Sequence, residues 1–248
     1  MIILVTGGTG TLGRPTVALL RDAGHEVRIL SRTAGEGRLV GDLTAGTGLT
    51  EAFAGIDTVV HLATSAGSKD PQQTEHVLAA ARAAGVAHVL YISIVGVDAI
   101  PYPYYRSKLR SEQLIEASGI AHTILRATQF HSFIAMFIRL QRRLPVIIGL
   151  DVPDQPIAVE EVAERLVELV QAGPSGRVPD IGGPEQLALR TAIDVWQHAA
   201  GTHKRVFTLP LAGRTIRAFR EGRHMTAMPG FGRETFAVYA RREAAAAE

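Results

Sequence analysis

Short apolar runs alternate with amphipathic stretches through the first half of the chain. Residues 2–5, 26–30, 58–62, 89–93 and 122–126 are rich in Val, Ile and Leu and read as strands, with a further strand expected to end at Gly41-Asp42-Leu43. Helical spacing fills the gaps: around 17–20, over 72–84 up to Gly85, and over 105–118 up to Gly119. Strand and helix in strict alternation imply right-handed crossovers and therefore a doubly wound parallel sheet. In such a sheet ligands bind beyond the carboxyl ends of the strands.

The second half has a different texture. Phe130, Phe133, Ile134, Phe137, Ile138 and Leu140 recur at helical spacing, as either a core face or a roof over an apolar substrate, with Arg139, Arg142 and Arg143 turned to solvent. Residues 156–163 open a late helix, and Glu160 and Glu161 suit its first turn. Residues 173–184 read as loop and a short strand, and 187–201 as a helix with Trp196 inward. From 210 to 242 the chain is basic and aromatic, read as a solvated amphipathic helical cap, or else as a cover for the substrate cleft, a subunit contact or a face that attracts an anionic ligand, and 241–248 as a fraying helix end. The expected architecture is α/β: a Rossmann-type doubly wound parallel sheet over 1–150, with a small, mostly helical substrate-capping region over 151–248 packed on it.

Composition narrows the chemistry. The 248 residues, 46% hydrophobic and 20% charged, suffice for a large core. No cysteine is present, which removes disulfides, thiolate catalysis and thiolate-held metals. The nine histidines show no metal-binding spacing, so no metal is expected. A net charge of +2 with scattered basic residues gives no nucleic-acid footprint. There is no basic-then-apolar leader and no run of eighteen apolar residues, so a cytoplasmic protein without a membrane partner is the expectation.

Between the first strand and first helix lies Thr6-Gly7-Gly8-Thr9-Gly10-Thr11-Leu12-Gly13. Gly8, Gly10 and Gly13 satisfy G-x-G-x-x-G, and Gly7, Gly10 and Gly13 satisfy G-x-x-G-x-x-G. Strand, glycine turn and helix together allow a pyrophosphate to approach the backbone and meet a helix N-terminus. Gly7, Thr9, Gly10, Thr11, Leu12 and Gly13 are the expected phosphate loop. After the second strand, where an NAD site wants an acid, stands Arg32; it and Arg14 suit a 2′-phosphate. NADP(H) is therefore expected in preference to NAD(H). Asp42 and Leu43 fit an adenine-contacting turn, or, for Asp42, an ordinary turn residue.

Ser93 ends the fifth of these strands, and Tyr104-Tyr105-Arg106-Ser107-Lys108 opens the next helix. Tyr104 and Lys108, four apart, share a helix face, so an ammonium can lie near a phenol and favour its phenolate. Ser93 supplies a hydrogen bond for a substrate oxygen. Tyr102 and Tyr105 lack the lysine four residues on and read as wall or core.

Together these motifs resemble the short-chain dehydrogenase/reductase superfamily, and within it the atypical NmrA-like, NAD(P)H-binding branch that includes quinone-reductase and isoflavone-reductase relatives. The resemblance covers roughly 1–190 and rests also on Tyr91-Ile92-Ser93 and Leu125-Arg126-Ala127-Thr128-Gln129-Phe130. It implies Tyr104 as general acid/base, Lys108 as ribose anchor and Ser93 as substrate orienter. It implies that Thr128, Gln129 and Phe130 line the nicotinamide and that Ala63 and Thr64 belong to the cofactor site. Two departures stand out. The chain has no asparagine, so the family's relay asparagine is missing, with water or His76 as its substitute, and His61-Leu62-Ala63-Thr64 replaces an Asn-rich turn. The expected activity is NADPH-dependent reduction of a carbonyl, enone or quinone on a mostly apolar small molecule, by a monomer or homodimer. A dinucleotide-dependent isomerase or epimerase and a non-catalytic NADP(H) sensor are the other readings.

Overall fold

The computed structural model describes residues 1–246. The chain forms two compact units, each drawing on separate stretches of sequence: Met1–Ser93, Tyr102–Arg126 and Val162–Pro179 in the first, and Ile94–Pro101, Ala127–Glu161 and Asp180–Glu248 in the second.

The elements run, in order, β1 (Ile2–Thr6), α1 (Gly13–Asp22), β2 (Glu26–Ser31), β3 (Arg38–Val40), α2 (Leu49–Phe53), β4 (Thr58–His61), α3 (Asp70–Ala83), β5 (His88–Ile94), α4 (Pro103–Glu116) and β6 (His122–Ala127). They continue with α5 (His131–Leu140), β7 (Val146–Leu150), β8 (Pro153–Asp154), α6 (Val159–Ala172), β9 (Gly176–Arg177), β10 (Leu187–Ala188), α7 (Leu189–Ala199), β11 (Arg205–Leu209), α8 (Arg214–Arg220) and α9 (Phe236–Ala245).

Seven strands make one sheet in the order β3-β2-β1-β4-β5-β6-β9. The strand order reverses at β1, which pairs in parallel with β2 on one side, Ile3 opposite Val27, and with β4 on the other, Val5 opposite Val60. This is the doubly wound, Rossmann-type arrangement expected from the alternation, and it puts the ends of β1 and β4 side by side at the switch point. Helices cover both faces of such a sheet, which is why the central strands are apolar without alternation. Leu4, Val59 and Val89 pack with Phe53, Val77 and Ala81 of the helices in one cluster, and Tyr91 packs with Leu78, Ile115 and Ile124 in another. Buried Glu112 on α4 and Arg126 on β6 add a two-pronged ion pair, at 2.9 and 2.6 Å.

The second unit has its own core, where Ile134 and Ile138 of α5 meet Trp196 of α7 and Phe236 and Tyr239 of α9. Two small sheets, β7 with parallel β11 and β8 with antiparallel β10, accompany these helices.

Most boundaries fall within a few residues of those read from the sequence. Proline at the first helical position starts α4 at Pro103, because its missing N–H is one the helix cannot use there. Residues 187–188 are strand, and the helix read over 187–201 is α7. The aromatic stretch after 210 is not simply a solvated cap: Phe236 and Tyr239 are interior, since α9 turns them onto α7. On α5 the core side is Ile134, Ala135 and Ile138, while Phe133 and Leu140 are exposed. The helix end read over 241–248 is α9 up to Ala245, and 247–248 lie outside the described residues.

Candidate active site

The glycine turn is shaped by contacts that admit no side chain. Gly7 has φ 71°, and a Cβ there would lie 2.8 Å from the Ala63 amide nitrogen. A Cβ on Gly13 would run into the Gly7 carbonyl and the Gly8 backbone. Gly10 differs, since a Cβ there would meet only the Gly7 carbonyl oxygen, at 3.2 Å, and its other side stays open. The turn is closed by Gly10 N–H donating to Gly7 O at 2.9 Å, and Arg14 Nε donates to Thr9 O at 3.0 Å. Thr9, Gly10 and Thr11 are exposed along it, and Leu12 is buried. α1 begins with neither a capping side chain nor an acid in its first turn; there Arg14 N–H donates to Gly10 O at 3.1 Å, Thr16 N–H to Leu12 O at 3.2 Å, and Pro15 has no N–H. The open side at Gly10 leaves the backbone of the turn accessible to a group as large as a pyrophosphate.

At the end of β2, Arg32 is exposed. Asp42 lies within reach of its charge. The carboxyl of Asp42 is held below its ordinary range first by the Ala45 and Thr44 amides, and then by the Arg32 and Lys69 charges. Oδ1 accepts from those amides at 3.1 and 2.6 Å, so Asp42 builds its own turn. Leu43 is buried, and its carbonyl oxygen is 2.6 Å from His76 Nδ1. His76 therefore serves the turn at the end of β3.

Around the proton-transfer candidates the structure gathers more residues than the sequence singled out. Tyr104, Lys108 and Ser111 follow at i, i+4 and i+7 on α4, one face of the helix. Lys108 is 4% exposed, and its Nζ donates to Tyr91 Oη at 3.1 Å and to Ile92 O at 3.0 Å, with the charge 4.5 Å from the Tyr91 ring centre. Its hydrogen bonds thus go to β5 rather than to the Tyr104 phenol, and one N–H is left. Tyr91 also hydrogen-bonds Ser111, and burial raises its phenol well above the usual range. Ser93, two residues on and hence on the same face of β5, is 2% exposed and its Oγ has no partner.

Tyr104 Oη lies 3.2 Å from Thr64 Oγ1, in the loop after β4. Thr64 in turn donates to Asp70 Oδ2 at 2.5 Å. Behind them His61 sits between Thr6 Oγ1, 2.7 Å from Nδ1, and Thr74 Oγ1, 3.3 Å from Nε2. Burial, followed by the nearby Lys108 charge, pushes His61 down to about 3, so the ring is neutral. Ala63 N–H reaches Thr6 Oγ1 at 3.3 Å. Sequence reasoning missed Tyr91, Asp70, Thr74 and Ser111. Period-two spacing from Ser93 points to Tyr91, and the i+7 position from Tyr104 points to Ser111; nothing local marks Asp70.

Thr128, Gln129 and Phe130 belong to the second unit. Thr128 Oγ1 donates to Gln155 O at 2.5 Å, its N–H to Ile181 O at 3.0 Å, and Gln129 O accepts from Ile157 N at 2.9 Å. Phe130 pairs with Ile157 in an isolated bridge. Among the described residues there is no group of three or more side chains suited to a metal, and no helix long and apolar enough to cross a membrane.

Comparison with known proteins gives the family and the fold. The NAD(P)H-binding family model matches residues 7–172. The chain is 32% identical over 208 residues to (4-alkanoyl-5-oxo-2,5-dihydrofuran-3-yl)methyl phosphate reductase of Streptomyces griseus, across 76% of this chain and 70% of that protein. It is 32% identical over 156 residues to 2-alkyl-3-oxoalkanoate reductase of Stenotrophomonas maltophilia, across 49% of this chain but only 47% of the relative, about half its length. Among solved structures, NADPH-dependent quinone oxidoreductase of Escherichia coli in complex with NADPH superposes with a TM-score of 0.83 at 19% identity, covering 97% of this chain and 99% of that one.

Proposed function

The chain belongs to the NAD(P)H-binding family, and from that premise we propose that it is an NADPH-dependent oxidoreductase of the short-chain dehydrogenase/reductase type. Its substrate is a carbonyl, enone or quinone of a mostly apolar small molecule. Relatives named as reductases of oxo compounds support that class.

The observation that carries the reading is Ser93. A buried hydroxyl without a partner costs about 1–3 kcal/mol, and it persists where a ligand completes it. Ser93 is the next-to-last residue of β5, in the same unit as Tyr104 and Lys108. The backbone from Gly7 to Gly13 holds the pyrophosphate, and the third N–H of Lys108 takes a ribose hydroxyl. Bound NADPH supplies the hydride. Ser93 donates to the substrate oxygen and fixes its direction, and Tyr104 gives that oxygen its proton as the double bond to carbon is reduced. Arg32, where an acid would suit NAD, supports the preference for the 2′-phosphate.

Two measurements test this. NADPH is expected to bind at least ten times tighter than NADH, about 1.4 kcal/mol, with Arg32→Ala erasing the difference; equal affinities in the parent protein overturn the cofactor preference. Tyr104→Phe is expected to lower kcat at least a hundredfold while NADPH affinity stays, in line with the roughly 10²–10⁴ that a positioned acid contributes. An undiminished kcat removes Tyr104 from the mechanism.

A further inference from the structure

The loop after β4 sets the direction of the hydrogen bond that Tyr104 makes. A threonine hydroxyl has one proton and two lone pairs. The proton of Thr64 goes to Asp70 Oδ2 at 2.5 Å, and an ionised carboxylate only accepts. One lone pair receives the Ala66 N–H at 2.9 Å. What remains toward Tyr104 Oη, 3.2 Å away, is a lone pair, so the phenol donates.

Asp70 is itself fixed. It is 2% exposed in the first turn of α3, where a negative charge is favoured, and its Oδ1 accepts from Ser65 N at 2.7 Å and Ser65 Oγ at 2.6 Å. The backbone between the two is strained for their sake. Ala66 has φ 53°, a left-handed conformation that disfavours a residue with a Cβ, and the Thr64 hydroxyl holds it there through the Ala66 amide.

We propose that Thr64 and Asp70 are a positioning pair that holds Tyr104 as a hydrogen-bond donor, its proton ready for the substrate oxygen. This rests on the reading of Tyr104 as the acid. When a carbonyl is reduced, the oxygen that gains negative charge is a stronger acceptor than a neutral hydroxyl, and the phenol turns to it from Thr64. The O–H bond of Tyr104 breaks, an O–H bond forms on the product, and the phenolate regains a proton from water. Thr64 does not supply that proton, because Asp70 holds it.

The test compares Thr64→Val, Thr64→Ser, Asp70→Asn and Tyr104→Phe with the parent protein. Turnover is measured with the best of a panel of menadione, an α,β-unsaturated ketone and a 3-oxoacid, and NADPH affinity by fluorescence titration. Thr64→Val is expected to lower kcat at least tenfold with the NADPH dissociation constant within threefold, and Thr64→Ser to restore at least a third of the parent kcat. Asp70→Asn, whose amide can donate to Thr64 and reverse its role, lowers kcat at least threefold. The inference fails if Tyr104→Phe is impaired and Thr64→Val is not. It also fails if Thr64→Ser is as poor as Thr64→Val, since the loop rather than the hydroxyl then matters, or if Asp70→Asn retains full kcat. A fully active Tyr104→Phe, or no turnover across the panel, overturns the reductase reading and this inference with it.

Discussion

At the scale of single residues, two glycines of the phosphate loop, Gly13 and Gly10, differ in what they tolerate. A methyl group on Gly13 has nowhere to go but into the Gly7 carbonyl, so Gly13→Ala must open the turn. Its NADPH affinity, followed by fluorescence titration, is expected to fall at least a hundredfold. Gly10→Ala meets one oxygen at 3.2 Å and is expected to lose much less. Lys108 is constrained in another way. Two of its three donors are spent on Tyr91 and Ile92 in a slot that is almost closed to solvent. A planar guanidinium cannot repeat that tripod, so Lys108→Arg is expected to weaken NADPH binding at least tenfold despite keeping the charge. The spacing of Tyr104 and Lys108 was legible in the sequence. The partners of the ammonium were not, because they come from β5 and are joined to α4 only by folding.

At the scale of elements, α4 carries Tyr104, Lys108 and Ser111, and its lower half is tied to β6 by Glu112 and Arg126. Both charges are buried, so neutralising Glu112 takes a close partner from a buried guanidinium. Glu112→Gln is expected to destabilise the protein by about 3–5 kcal/mol in urea unfolding. Glu112→Leu combined with Arg126→Met should recover most of that loss, and a double variant no better than the single would refute the pairing. The alternation of strand and helix through the first 127 residues was readable because β1, β4, β5 and β6 are largely buried runs rich in apolar residues, with glycine just past the intervening helices. β7 and β11 escaped notice for the opposite reason. Each is part exposed, and each is defined by pairing with a partner far along the chain, Val146 with Arg205. The short α2 lies between Gly48 and Ala54 with only five residues, too few for a helical period to register.

At the scale of the whole molecule, buried histidines set the response to acid. Burial pushes His61 down to about 3 and both His88 and His131 to about 4, from an ordinary value of 6.5. Below pH 6.5 the unfolded chain binds protons that the folded protein refuses. Stability is therefore full above 6.5 and falls as the pH drops toward 4, by up to about 1.4 kcal/mol per pH unit for each histidine. Asp154, raised by desolvation to about 6, acts in the opposite sense between 3.8 and 6, and is one group against four, since burial lowers His224 as well. Urea midpoints measured from pH 7.5 to 4.5 should hold down to about 6.5 and decline below it. A flat profile would mean that the histidines can take up protons without leaving their sites.

The last strand of the main sheet has a bearing on how the protein is made. β9 is only Gly176 and Arg177, yet it closes the edge beside β6, with Thr123 opposite Gly176. A chain emerging from the ribosome completes the first six strands of the sheet long before that edge is shielded. Through the intervening stretch of synthesis the apolar backbone around Ile124 presents unpaired amides and carbonyls, as an edge open to a neighbouring nascent copy. Holding the emerged chain at a length between 127 and 176 should therefore raise the aggregated fraction, and holding it once β9 has also emerged should not.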